Sequence, residues 1–243
     1  MSSTMTWLND PLNWTKQDGI LHQLEKHVEY SAIAIGIALA VGLPLGLLLG
    51  HTNRATFLVA GANGLRALPS IGLLTLAFIA LSPHIYGESI YLVSTEIVLV
   101  LLALPPILAN TFAGVGNVDR AARDAAIGMG MTGRQVLFRV EFPNALPLIY
   151  SGLRSATLQV IATATIAAYI GLGGLGRFVY DGVEQRDRGQ YTGGAVLVAV
   201  LALAADIVLA LLQRYTVSRG ITGRYSRRAT ATNPVEGRLA EAV

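Results

Sequence analysis

The chain has 243 residues, of which 53% are hydrophobic and only 14% are charged. Soluble domains usually carry about 25% charged residues, so this composition favours a membrane protein over a soluble enzyme or a nucleic-acid-binding module with a basic, aromatic face. The sequence contains no cysteine, which excludes disulfides, thiolate metal ligands and a thiol nucleophile. The formal charge of +3 says less than the distribution of the arginines along the chain.

The N-terminal segment, residues 1–29, is polar and mixed in charge. It lacks the order of a secretory signal peptide, in which a basic region precedes an apolar one. We therefore expect the first apolar segment to remain in the mature protein.

Five apolar segments follow, each close to the roughly 20 residues that a helix needs to cross a bilayer. They are too long and alternate too poorly for barrel strands, and helices satisfy their own backbone hydrogen bonds in lipid. The predicted fold class is all-α, a polytopic membrane helix bundle over residues 30–213. The predicted spans are Tyr30–Gly50, Phe57–Leu81, Ile90–Ala113, Ala145–Ala168 and Tyr191–Leu212.

Arginines are concentrated in residues 114–144 and in the C-terminal tail, residues 214–243. The opposite set of segments has few basic residues, diluted by acidic ones. By the positive-inside rule the arginine-rich segments face the cytoplasm, which places the N-terminus outside and the C-terminus in the cytoplasm. The tail has no apolar periodicity and is predicted to be flexible.

Prolines interrupt several of the five apolar segments. Pro44 lies in the first, Pro69 in the second, and the pair Pro105-Pro106 in the third. Since proline removes a helix donor, these positions predict broken or kinked helices. Such breaks either line a transport pathway or only adjust helix packing.

The longest predicted cytoplasmic connection does not have the composition of a linker. Its residues predict a short helix over Val118–Met129, a turn over Gly130–Gly133, and a second helix over Arg134–Phe142 that ends at Pro143. The small pair Ala125-Ala126 with polar neighbours suits docking into a groove of a partner. A plain amphipathic helix at the membrane interface is the alternative.

This connection resembles the coupling motif of bacterial ABC importer permeases. The family pattern is Glu-Ala-Ala, three residues, Gly, nine residues, Ile, one residue, Leu-Pro. Every spacing matches, with Asp for Glu, Val for Ile and Phe for Leu; the matching residues are Asp124, Ala125, Ala126, Gly130, Val140, Phe142 and Pro143. Residues 44–182 more broadly, including Leu65–Ser70 and Ala164–Gly176, resemble permeases for glycine betaine, choline or carnitine.

The resemblance implies a type I ABC importer permease that lies in a bacterial inner membrane and carries a small osmoprotectant. It also implies three partners: cytoplasmic ABC ATPase subunits that dock on the matching residues, a second permease subunit, identical or homologous, and an external substrate-binding protein. Permeases for an amino acid or a phosphonate remain alternatives, as does a membrane-embedded enzyme.

The sequence offers little for catalysis or cofactor binding. Neither lysine, Lys16 or Lys26, follows glycine as a phosphate-binding loop requires, so ATP hydrolysis is assigned to a partner. Two Gly-x-Gly-x-x-Gly stretches, residues 128–133 and 171–176, lack the preceding strand of a dinucleotide site. No metal or cofactor is expected, since the histidines show no metal-ligand spacing and fall outside the predicted spans; they are His22, His27, His51 and His84.

Four ionisable residues fall inside the predicted spans, where each is costly and therefore a candidate for function. Arg154 and Asp206 lie at similar predicted depth with opposite charge, which predicts an ion pair that fixes helix register or changes partner during gating. Arg66 either reaches the cytoplasmic surface or lines the pathway. Glu96 either reaches the outer headgroups or meets a cationic substrate. Together with Pro69, these residues are the predicted pathway or gating set.

Overall fold

A computed structural model describes residues 2–52, 56–64, 67–87 and 89–218, and within these ranges the chain is helical without strands. The tail from residue 219 and Arg66 lie outside the described residues. The helices are α1 (Ser2–Asn9), α2 (Pro11–Thr15), α3 (Ile20–Thr52), α4 (Thr56–Gly64), α5 (Ser70–Leu81), α6 (Ser89–Gly116), α7 (Arg120–Gly128), α8 (Gly133–Val136), α9 (Phe142–Ala167), α10 (Gly176–Glu184) and α11 (Arg188–Thr216).

Four stretches of the described chain are long and apolar enough to cross a membrane: α3, α6, residues 133–170, and α11. The predicted second span, Phe57–Leu81, is instead two shorter helices, α4 and α5. Pro69 is the N-cap of α5, with extended backbone angles of φ −62° and ψ 123°. The predicted interruption therefore lies where expected, and it divides this span because an extended residue cannot continue a helix.

The other prolines do not break their helices. Pro44 lies inside α3, and Pro105 and Pro106 lie inside α6, where both are buried. The Asn110 side-chain amide donates to the Pro106 carbonyl over 2.8 Å. The two prolines of α6 are enclosed by the packed bundle, a setting in which membrane helices tolerate proline.

The centre of the bundle is the contact of α6 with α3 and α9. Glycines at four-residue intervals on α3 allow the approach to α6, because a Cβ on Gly46 would lie 2.6 Å from the Thr111 Cβ and one on Gly50 would lie 2.7 Å from the Val115 Cβ. On the other side, a Cβ on Gly152 of α9 would lie 2.6 Å from the Pro106 carbonyl oxygen. Small residues at such contacts let membrane helices pack closely.

The N-terminal segment before the predicted first span is largely helical. Helix α3 begins at Ile20, ten residues before the predicted span, and α1 and α2 precede it. The Trp7 ring of α1 packs edge-on against Phe178 of α10, with centroids 5.4 Å apart. The segment therefore forms a helical cap against α10 and the start of α11.

Candidate coupling site

Helix α7 lies between α6 and the residues that lead into α9, and its two ends are defined locally. Asp119 caps the N-terminus, since its carboxylate accepts a hydrogen bond from the Ala121 amide at 3.0 Å. At the other end Gly130 has φ +85°, and the Met131 amide donates to the Ala126 carbonyl at 3.1 Å. This is a left-handed glycine C-cap, which explains why the spacing pattern requires glycine here.

The predicted docking residues of α7 point in different directions. Asp124 and Ala125 are exposed, whereas Ala126 is buried against the protein. Ile127 and Met129 are also largely exposed, at 59% and 72%. The helix thus presents small, acidic and apolar side chains outward and uses Ala126 to pack inward.

The predicted second helix, ending at Pro143, is wrong at its C-terminal boundary. Helix α8, a π-helical turn over Leu137–Glu141 and α9 follow one another, and residues 133–170 form one long helical stretch. Pro143 lies in the first turn of α9, where a missing amide hydrogen is tolerated. The π-helical turn immediately before it shifts the hydrogen-bond register at that point.

The last three predicted docking residues, Val140, Phe142 and Pro143, lie closer to the centre of the bundle than α7 does. Phe142 packs against a buried cluster that includes Leu47, Val115 and Ile149, and Val140 and Pro143 are half-buried. The part of these three residues in docking stays a prediction.

A buried ionic cluster, which we call the Glu141 cluster, joins this site to the bundle. The Glu141 side chain is only 2% exposed. One of its oxygens, Oε2, lies 2.6 Å from Nδ1 of His51, and the other, Oε1, lies 2.9 Å from Nε of Arg123. Arg123 also donates through Nη2 to the Val115 carbonyl. A cavity of about 380 Å³ adjoins the cluster and is lined by His51, Arg120, Arg123, Asp124, Ile127, Gly133, Val136 and Glu141.

Sequence reasoning missed the contact of Glu141 with His51, and it counted Arg123 only among the polar neighbours of Ala125 and Ala126. A single acidic residue between the hydrophobic Val140 and Phe142 was the available signal. It could not identify the partner, because His51 is 90 residues earlier in the chain. His51 was placed outside the spans, yet it lies in the last turn of α3.

The predicted pairing of Arg154 with Asp206 is present in the structure. Nε and Nη2 of Arg154, on α9, each donate to one carboxylate oxygen of Asp206, on α11, at 2.7 Å. This bidentate geometry is typical of strong arginine–carboxylate pairs. Its role in register or gating remains a prediction.

Glu96 on α6 has a different environment. Both of its carboxylate oxygens are buried and lack a hydrogen-bond partner within the described part of the chain. It therefore does not lie exposed, as a side chain that reaches lipid headgroups would. A role in contact with a cationic substrate stays a prediction.

The second glycine stretch, residues 171–176, is a turn between α9 and α10, with positive φ at Gly171, Gly173 and Gly174. Two buried side chains of α3 hold it. Oε1 of Gln23 accepts from the Gly174 amide at 2.7 Å, and Nδ1 of His27 accepts from the Leu175 amide at 3.3 Å. The glycines thus serve a tight turn.

An all-α bundle with a capped, exposed helix between two membrane-crossing segments is the architecture expected of an ABC importer permease. Residues 32–220 match the family described as binding-protein-dependent transport system inner membrane component. The chain belongs to this family, and it is a membrane transport permease.

Its relatives include the carnitine transport permease protein OpuCB of Listeria monocytogenes, 37% identical over 80% of this chain and 86% of the relative. The glycine betaine/carnitine/choline transport system permease protein OpuCB of Bacillus subtilis is 33% identical over 92% of this chain and 98% of the relative. Among solved structures, an inward-facing conformation of the MetNI methionine ABC transporter superimposes with a TM-score of 0.72. The identity is 19%, and 86% of this chain and all of that chain are covered. This last likeness concerns the fold alone.

Proposed function

We propose that this chain forms half of the translocation pathway of an ABC importer for a small osmoprotectant such as glycine betaine, choline or carnitine. It couples transport to a separate cytoplasmic ATPase through α7. The observation that carries the proposal is the exposed face of α7, held between the ends of two membrane-crossing segments. The names of the relatives support the substrate class.

The geometry around α7 supports mechanical coupling. Helix α6 ends at Gly116 and α7 begins at Arg120, so only three residues separate them, and residues 129–132 connect α7 to the stretch that becomes α9. A partner that moves α7 therefore displaces two membrane-crossing helices. Rigid movement of packed elements of this kind is a common basis of alternating access.

The proposed assembly has two permease subunits, ATPase subunits on the arginine-rich side, and an external binding protein on the other. The arginines of α7 and of residues 133–141 support a cytoplasmic position for that side, by the positive-inside rule. The N-terminal cap of α1 and α2 then faces outward. In this arrangement Asp124 and Ala125 face the ATPase.

Reconstitution in lipid with the presumed ATPase and binding protein tests the proposal. We expect ATP hydrolysis to rise when the binding protein is loaded with glycine betaine, choline or carnitine, and to stay low when it is empty. Stimulation only by an amino acid or a phosphonate would replace the substrate class and keep the permease assignment. Failure of the ATPase to bind this chain would contradict the coupling role.

Replacement of Ala125 tests the docking surface separately. Ala125→Leu adds a branched side chain to the exposed face of α7, so we expect weaker co-purification of the ATPase because of steric conflict. Ala204→Leu is the matched control, since Ala204 is exposed on α11, away from the site. Equal recovery of the ATPase with both variants would show that Ala125 does not face it.

A further inference from the structure

The Glu141 cluster lies where α3, α6, α7 and the start of α9 meet. We infer that Glu141 is a positioning residue that ties α7 to α3, so that a displacement of α7 by the ATPase moves α3 together with α6 and α9. This inference rests on the proposed function and adds to it a residue and a third helix that the coupling motif does not include.

Because the Glu141 carboxylate is buried, its contacts with its partners are costly to break. A buried charge is costly unless it is paired, and removal of one partner leaves the other uncompensated. Each oxygen of Glu141 has a partner of its own, His51 on one side and Arg123 on the other. The carboxylate is therefore held from two directions by two different helices.

Arg123 extends the connection to α6. Its Nε faces Glu141 while its Nη2 donates to the carbonyl of Val115, in the last turn of α6. One guanidinium on α7 thus bridges the residue before α9 and the end of α6. The hydrogen bond to Val115 sets the orientation of the planar guanidinium, and the contact with Glu141 is one of charge, since Arg123 Nε makes no hydrogen bond there.

Helix α7 has little else to hold it. Ala126 is its only buried residue, and the remaining surface is exposed or half-exposed. A helix attached mainly by short connections can pivot when it is pushed. The Glu141 cluster restrains that pivot, so that displacement is passed on to the bundle.

The link to α3 is specific to His51, since this residue occupies the last turn of the helix. From there α3 packs along α6 through Gly42, Gly46 and Gly50. A displacement of His51 therefore moves α3, which is already in close contact with α6. Without His51, α3 would follow only through apolar packing, on α6 and in the cluster that joins Leu47 to Phe142.

The test uses the complete reconstituted importer with a loaded binding protein. We expect Glu141→Gln to retain ATPase binding and basal hydrolysis, but to lower the amount of solute transported per ATP by about fivefold or more, within the usual range of coupling between sites. Glu141→Asp should recover part of the loss because it keeps the charge. Glu184→Gln, an exposed carboxylate at the end of α10, is the matched control and should behave as the unmodified chain.

His51→Leu separates the connection to α3 from general stability, because His51 is 28% exposed and its loss leaves the Arg123 contact in place. We expect a smaller loss of solute per ATP, and a double variant with Glu141→Gln that is no worse than Glu141→Gln alone, as required if both act through one contact. If the Glu141→Gln variant does not assemble, the amount of solute that His51→Leu transports per ATP tests the inference alone. An unchanged amount of solute per ATP in His51→Leu or in Glu141→Gln overturns the inference. Absence of stimulation in the unmodified importer would instead count against the proposed function.

Discussion

Two apolar helices of nearly equal length, α6 with 28 residues and α11 with 29, are held in contrasting ways. Of the most apolar 18 residues of α6, 56% are buried, whereas none of the most apolar 18 residues of α11 are buried. Helix α6 lies between α3 and α9, and α11 packs only on one side. Hydropathy qualifies both helices as spans, but it does not distinguish the centre of the bundle from its edge.

The contacts of α11 lie along one of its faces, where half-buried positions recur at helical spacing from Leu197 to Ala210. At its N-terminal end Gly189, Gly193 and Gly194 allow close approach of Trp7 and Phe178. Further along, Leu197, Val198 and Leu201 pack against a buried cluster that includes Leu175, and Asp206 pairs with Arg154. The exposed face of α11 is left for lipid or for another subunit of the proposed assembly. The difference teaches that α6 is packed on several sides whereas α11 is held along one face, and three substitutions test this.

Gly152→Leu should have the largest effect, because it acts on the central contact. Its side chain would meet the Pro106 carbonyl and the Asn110 side chain at distances below normal contact, and overpacking costs about 1–3 kcal/mol or more. We expect a clear fall in the melting temperature of the detergent-solubilised chain. Gly36→Leu is the control, since a Cβ there meets nothing within 4 Å; equal melting temperatures for the two variants would contradict the packing described for α6.

Trp7→Ala should have an intermediate effect by removing one end of the support of α11. The ring is half-buried against Phe178 and Gly193, so we expect a loss below the roughly 3 kcal/mol at which truncation of a fully buried aromatic residue begins. Hydrogen exchange should increase in the first turns of α11 and remain unchanged in α6. Tyr86→Ala, at an 81% exposed position, provides the comparison. Increased exchange throughout α6 would show that the two helices are not supported independently.

Asp206→Asn should have the smallest effect on stability, because Arg154 is partly exposed and its long side chain can reach toward the membrane surface once it is unpaired. We expect looser contact between α9 and α11, measured by cross-linking of cysteines introduced on the two helices. The double variant with Arg154→Gln should recover part of the stability, because it removes the uncompensated charge. Strictly additive losses would indicate that the two residues do not act as a pair.

The prolines show the limit of local reasoning. Pro69 divides a predicted span, whereas Pro44, Pro105, Pro106 and Pro143 lie within continuous helical stretches. The residue type is the same in each case. What differs is the packing around the helix, which buries Pro105 and Pro106, and this is not a property of the local sequence.

The sequence by itself determined the membrane class, four of the spans and the position of α7, because span length, helix capping and the spacing from Asp124 to Pro143 are local properties. It also indicated the Arg154–Asp206 pair, since charge in an apolar helix is conspicuous and depth can be counted along the chain. Only the tertiary structure decided that α6 is central and α11 peripheral, and that His51 meets Glu141. Those outcomes depend on which helix faces pack together, and residues distant in the chain become neighbours only when the bundle forms.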